Sequence, residues 1–188
     1  MLVASLVRSL RVADLVLHRI DEQSCRDAEA GIAAAGDARL LPQLRTLYMP
    51  RYDGLRRQTK FGFFITSNDC FVGLTLLAVS SWENSHGYTT TDIAERYRGR
   101  GFAPGTKPHL FHLGFSIVGL NRIEAGCSVA NVASKRSLEK TAGFVYEGRL
   151  REYARNPDGG FDDEERYAIV RRDWERLYAG VAVVAVME

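Results

Sequence analysis

The sequence predicts a single mixed α/β domain spanning residues 1–188, and three observations carry that prediction. The run "KFGFFITSNDCFVGLTLLAVSSW" (60–82) sets β-rich stretches either side of "SNDC", as a hairpin requires. "RYRGRGFA" (96–103) packs three arginines and two glycines into its first six positions, between a strand-like and a helix-like segment. Beyond it, strand and helix patterns alternate as far as residue 174, so hairpin strands come first and a strand–helix–strand–helix–strand series follows.

Each element follows from local pattern. The opening "MLVASLVRSLRVADLVL" is apolar but broken by Arg8, Arg11 and Asp14, which argues against a signal peptide or a membrane span. "ADLVLHRI" (13–20) alternates as a strand, and "DEQSCRDAEAGIAAAG" (21–36) has the acidic start, alanine-rich interior and terminal glycine of a helix. Residues 37–60 read as short helices and loops, and 86–94 as a strand entering the glycine–arginine stretch. Leu110, Leu113, Phe115, Ile117, Val118 and Leu120 then mark a buried helix that stops near Gly119. Pro108 lacks a backbone donor, so this helix is expected to start near Thr106, with Thr106 as its cap. "RIEAGCSVA" places Ile123, Ala125, Cys127 and Val129 on one strand face, and "NVASKRSLEKTAG" is a short helix ending at Gly143. "FVYEGRLREYA" and "ERYAIVRRDW" are strands flanking "NPDGGFDDE", and the apolar tail "GVAVVAVME" needs a partner, as a last strand or a packed terminus.

Composition narrows the function. A net charge of +2 is too small for general affinity to nucleic acid or membranes, so any basic site must be local. Three scattered cysteines (Cys25, Cys70, Cys127) with no CxxC spacing suit reduced thiols and a cytoplasmic setting. His109 and His112 stand three apart without a further ligand at suitable spacing, so no metal is expected. Cys127 falls on an apolar strand face and reads as core.

The glycine–arginine turn suits phosphate, because backbone N–H groups in a glycine turn before a helix form an anion nest. A Walker loop fails: "GFAPGTKP" has Lys107 at the wrong spacing and proline where Ser or Thr belongs. The dinucleotide fingerprint fails too, since Ala103 and Pro104 replace its last elements. A third pattern fits: Gln or Arg, two residues, Gly, one residue, then Gly or Ala, here Arg98-Gly99-Arg100-Gly101-Phe102-Ala103.

That motif in "TDIAERYRGRGFA", with "GLNRIEAGCSVANVASKRSLEKTAGF" about thirty residues downstream, resembles the GNAT superfamily of acetyl-CoA-dependent N-acetyltransferases, and its RimJ/RimL branch most. The resemblance implies a mixed, mostly antiparallel central sheet with helices on both faces and a splayed pair of parallel strands at the cofactor site. It implies acetyl-CoA as co-substrate and an amine acceptor, either a protein N-terminus or a small molecule such as an antibiotic, polyamine or amino-acid derivative. Neither nucleic acid nor membrane is an expected partner, and a homodimer is. Thr91, Asp92 and Ile93 would pair with pantetheine, and the turn Arg98, Gly99, Arg100, Gly101, Phe102 and Ala103 would hold the pyrophosphate. Asn131 would bond the pantetheine arm, and Ser134 would sit near the thioester sulfur.

The chain also departs from that pattern. Many relatives carry a tyrosine seven residues past the asparagine as general acid, and here that position is Leu138. Ser134 must then serve, or no side chain does. A catalytically silent acyl-CoA-binding module is the rival that this departure favours. Candidate bases are Glu83 and His86, at the start of the strand feeding the site, although either suits an ordinary loop. A weak base suits an α-amine better than a lysine amine, because part of an α-amine is already neutral at pH 7.

Overall fold

The computed structural model describes residues 7–48 and 57–187. A strand not anticipated from the sequence, β1 (Val7–Val12), turns back through Ala13 (φ 50°) into β2 (Leu15–Arg19). The alternation seen from Ala13 therefore begins two residues later, and Ala13 belongs to the hairpin turn. Helix α1 (Glu22–Ala35) starts where Asp21 accepts the Ser24 N–H (2.8 Å) and donates its own N–H to the Ser24 hydroxyl (2.9 Å). This capping box satisfies two otherwise orphaned N–H groups. A short 3-10 turn (Ala38–Leu40) and α2 (Leu41–Tyr48) meet the expectation for 37–60, of which 49–56 lie outside the described residues.

The hairpin predicted over 60–82 is β3 (Lys60–Ser67) and β4 (Cys70–Ser81), followed by β5 (His86–Ile93). Then comes a nearly continuous helical run: α3 (Phe102–Gly105), α4 (Lys107–Phe111) and a π-helical segment (His112–Val118) closed by left-handed Gly119. The run starts four residues before the expected Thr106. Thr106 is helical (φ −75°, ψ −20°), and its hydroxyl donates back to the Ala103 carbonyl (2.8 Å), so it caps nothing. Pro104 lies in the first turn, where its missing N–H costs no helical bond.

Strand β6 (Arg122–Ser128) buries Ile123, Ala125 and Cys127 as expected, while Val129 lies in the turn beyond it. Helix α5 (Val132–Glu139) leads to the hairpin of β7 (Val145–Arg155) and β8 (Phe161–Val170). The strand expected to reach Trp174 ends at Val170, and α6 (Arg171–Tyr178) takes over. Trp174 stacks on Phe115 at 5.3 Å and Tyr178 meets Phe111 at 5.6 Å, so an i, i+4 aromatic pair turns this segment into a helix on the core. The apolar tail forms β9 (Val184–Met187), antiparallel to β1.

The described strands form one sheet in the order β7-β8-β6-β5-β4-β3-β2-β1-β9. Every neighbouring pair is antiparallel except β5 and β6. Both faces are covered. Phe61, Phe63 and Ile65 of β3 join Leu110, Phe111 and Phe115 in one core, and Phe64 joins Ile32, Leu44 and Leu74 under α1 and α2 in the other. That two-sided burial is why β3 reads as a continuous apolar run.

Candidate functional site

The parallel pair is short. β5 and β6 meet at His86 with Arg122, Gly87 with Ile123 and Tyr88 with Glu124, and no farther. Beyond that point β5 continues along β4 to Ile93, and β6 continues along β8 to Ser128, so a gap opens between them. The Ala94 N–H donates to the Val72 carbonyl (2.9 Å), which fixes which β5 groups face β4. By alternation Asp92 and Thr90 also turn their backbone to β4, while Thr89, Thr91 and Ile93 turn theirs into the gap. Of the three residues expected to pair with pantetheine, Thr91 and Ile93 therefore turn backbone into the gap, although Arg98 Nε takes the Ile93 carbonyl and leaves only the N–H of that residue open there among the described residues. Asp92 does not; its backbone faces Leu74, and its side chain lies on the opposite face of the sheet.

The gap ends at the glycine–arginine turn. Gly99 (φ 76°) and Gly101 (φ 84°) are left-handed, and a Cβ on either would meet nothing within 4 Å. These glycines are thus required for backbone conformation and not for packing. The N–H groups of residues 99–103 find no backbone acceptor among the described residues, whereas those of Gly105 and Thr106 are used inside the helix. The three arginines divide their work. Arg96 donates to the Ala34 carbonyl (2.9 Å) and ties the turn to α1, Arg98 Nε covers the Ile93 carbonyl (3.3 Å), and Arg100 lies 5.4 Å from the Tyr97 ring centre.

Across the gap, α3 packs against α5. Asn131 caps α5: its Oδ1 accepts the Ser134 N–H (3.0 Å), which leaves the carboxamide NH2 as a donor. Ser134 is half-buried near Cys127, whose thiol is held above the ordinary range by burial, with Ser134 pulling it back down. Leu138, in the position of the missing tyrosine, is core with Ala125, Cys127 and Tyr167. The structure thus brings together Thr91, Ile93, the turn 98–103, Asn131 and Ser134. It does not bring Glu83 to them. Glu83 is exposed in the turn before β5, at the end where β5 and β6 are still paired, and His86 sits in that pairing. His109 Nε2 faces the Leu15 carbonyl (3.0 Å), a packing role.

Sequence reasoning passed over Lys107, weighed only as a failed Walker lysine. It is 3% exposed and has no carboxylate partner among the described residues, and burial pushes its pKa down to about 7. Its Nζ donates to the hydroxyls of Thr89 (3.0 Å) and Thr91 (3.2 Å). The Thr91 hydroxyl meets that of Thr75 (2.8 Å), which donates to the Thr90 carbonyl (2.7 Å). The available signal was a lysine at helical spacing with Leu110 and Phe111, opposite the run "TTT". On the other face of β5, a cavity of about 350 Å3 lies between α2 and strands β4 and β5, with Gln43, Thr90 and Asp92 in its lining. Burial raises the Asp92 pKa, Arg39 and Arg98 pull it down, and Asp37 pushes it up again.

A gap edged by free backbone and closed by an unpaired glycine turn suits an extended polyamide with an anionic end. Residues 11–145 match the family model described as Acetyltransferase (GNAT) domain. A Bacillus licheniformis protein, "Uncharacterized N-acetyltransferase p20", is 27% identical over 115 residues. That match covers 61% of this chain and 64% of the relative, less than two thirds of its length. Among solved structures, a spermidine N-acetyltransferase SpeG chimera from Vibrio cholerae and hSSAT superposes with a TM-score of 0.67 at 20% identity, covering 87% of this chain and 99% of that one. A dodecameric spermidine N-acetyltransferase from Vibrio cholerae gives 0.62 at 18% identity, covering 89% and 99%. With its family model spanning most of the sequence and its splayed β5–β6 pair beside the glycine turn, the chain belongs to the GNAT acetyltransferase family.

Proposed function

We propose that this chain uses acetyl-CoA to acetylate a primary amine by direct attack. The observation that carries the reading is the gap between β5 and β6, edged by the backbone of Thr91 and Ile93 and ending in the free N–H groups of residues 99–103. The pantetheine amides bond Thr91, Ile93 and the Asn131 NH2, and the pyrophosphate lies on the turn from Arg98 to Ala103. The amine lone pair attacks the thioester carbonyl, a C–N bond forms, the C–S bond breaks, and the nitrogen loses a proton. The Ser134 hydroxyl donates to the departing sulfur and stabilises the thiolate. Glu83 stands outside this assembly, so the proton passes to solvent or to a group of the acceptor site.

The acceptor reading follows from the cavity under α2. A protein N-terminus is one acceptor; a small amine is favoured by a partly open cavity of about 350 Å3 with a carboxylate in its lining. The spermidine enzymes among the structural relatives support the same choice. Self-association is part of the proposal: edge strand β7 exposes Tyr146, Leu150 and Tyr153, and one structural relative is dodecameric.

The test is thiol release from acetyl-CoA over a panel of small amines and peptides with free N-termini, alongside calorimetric titration with CoA. CoA binding with amine-dependent thiol release is expected. CoA binding without turnover on any amine would leave the silent acyl-CoA-binding module.

A further inference from the structure

Acceptors without a partner stand out among the polar groups of the cavity under α2. Leu47, Leu74 and Leu76 make apolar walls, and Asp92 contributes a carboxylate. Gln43 also lines it, and its Oε1 is shut off from solvent without a donor among the described residues. A buried acceptor left unpaired is costly, and terminal amide torsions are soft, so this group can turn to a donor that enters. The hydroxyl of Thr46 already donates to the Pro42 carbonyl (3.1 Å) and presents acceptor lone pairs, the Thr75 hydroxyl is engaged with the Thr90 carbonyl and the Thr91 hydroxyl, and Thr90 completes the polar lining.

The neighbouring cations are committed elsewhere. Arg39 is bound to Asp37 (2.5 Å), Arg98 to the Ile93 carbonyl (3.3 Å), and Lys60 to the Thr46 carbonyl from the β3 side. No lysine or arginine lines the cavity among the described residues. A peptide backbone brings donors and acceptors in equal number and would leave its carbonyls facing acceptors here. An ammonium group brings three donors, a positive charge and no acceptor.

Resting on the acetyltransferase reading above, we propose that this cavity takes the second, non-reacting ammonium of a short aliphatic diamine or polyamine. Asp92 and Gln43 bind that ammonium, while the apolar walls carry the chain between the two nitrogens. The reacting amine then emerges beside Thr90, next to the strand positions whose backbone faces the gap.

The experiment compares 1,4-diaminobutane, n-butylamine, 4-amino-1-butanol and a peptide with a free N-terminus. Turnover is measured by thiol release, and binding of the diamine is measured separately by calorimetry without acetyl-CoA. The wild type is expected to prefer the diamine over butylamine by about tenfold or more in kcat/KM, the worth of a hydrogen-bonded charge. Asp92→Asn should bring that ratio close to one, mainly through the KM of the diamine, and Gln43→Leu should lower it by roughly threefold to tenfold. Thermal melting confirms that each variant is folded.

Equal use of diamine and butylamine, preference for the peptide, or a ratio untouched by Asp92→Asn would overturn the inference and leave the acetyltransferase reading standing. Loss of CoA binding in the wild type would instead strike that reading. Diamine binding without acetyl-CoA, weakened in Asp92→Asn, would still support the ammonium site, and its absence would remove it.

Discussion

The two faces of β5 treat polar groups in opposite ways. Towards α4, Thr89 and Thr91 meet Lys107 in a network in which Lys107, Thr75 and Thr89 are buried and Thr91 is half-buried. Towards α2, Thr90 and Asp92 border a partly open cavity where the Gln43 carbonyl oxygen lacks a donor among the described residues. A saturated polar cluster fixes structure, and an unsaturated one beside a cavity marks where a ligand completes it. On this view the α4 face should answer to stability measurements, and the groups beside the gap to cofactor and turnover measurements.

The largest expected effect tests the saturated face. The unfolded chain keeps the Lys107 proton up to about pH 10.5, whereas the native state releases it near 7. Between those values the unfolded state binds more protons, so raising the pH stabilises the native state. Below about 7 both states are charged and the contribution stays at its least favourable level. The residue should add up to about 1.4 kcal/mol per pH unit, on the order of 4 kcal/mol across the window. Lys107→Met should remove that slope and raise stability at neutral pH. Denaturant unfolding of both proteins at several pH values from 6.5 to about 10 checks it. Identical slopes would mean that Lys107 is not buried as a neutral amine.

Next is Ser134→Ala, which probes the gap. A donor to developing thiolate charge acts on kcat and not on cofactor affinity. Turnover should fall by about ten- to a hundredfold, roughly 1.4–2.7 kcal/mol, with the Kd for CoA nearly unchanged. An unchanged kcat would leave positioning and solvent as the catalytic apparatus.

Gly101→Val comes third. The open space around its Cβ means the penalty arises from the backbone, at φ 84°, and not from a clash. Forcing a β-branched residue into that region costs roughly 1–2 kcal/mol, which should appear as weaker CoA binding and a higher KM for acetyl-CoA. Wild-type CoA affinity in a folded variant would move the pyrophosphate off this turn.

What the sequence made legible follows the range of the interactions involved. The glycine turn, the β3–β4 hairpin and helix α1 are set by neighbours a few residues apart, and all stand where the pattern put them. Glu83 was attractive because it precedes the strand that feeds the site. Chain order does not say which end of a parallel pair is closed, and Glu83 lies at the closed end. Lys107 was opaque because its partners lie 16 and 18 residues away on another element. Gln43 was opaque because a missing partner leaves no trace in sequence. Strand β8 yielded to α6 at Arg171 because Trp174 and Tyr178 find Phe115 and Phe111, contacts made only in three dimensions.

The smallest effect separates two jobs at one residue. Asn131 holds the first turn of α5 through its Oδ1, and the proposed cofactor contact uses its NH2. Asn131→Ala deletes both functions, so a loss of CoA binding there would not distinguish a loosened helix from a missing donor. Asn131→Asp keeps an oxygen for the Ser134 N–H, and its charge is favourable at a helix N-terminus, so the cap survives. The donor is lost and a negative charge is gained, and both act against an anionic cofactor while the cap is kept. The melting temperature of Asn131→Asp should therefore match the wild type, while CoA affinity falls by at least about 0.5–1.5 kcal/mol, the net worth of one hydrogen bond. Asn131→Ala should lose a comparable amount of affinity and also about 0.5–2 kcal/mol of stability. A truncated nucleotide lacking pantetheine should bind all three proteins alike, because its phosphates rest on the turn from Arg98 to Ala103. If Asn131→Asp binds CoA as the wild type does, Asn131 is a helix cap and nothing more, and the pantetheine arm is held by β5 alone.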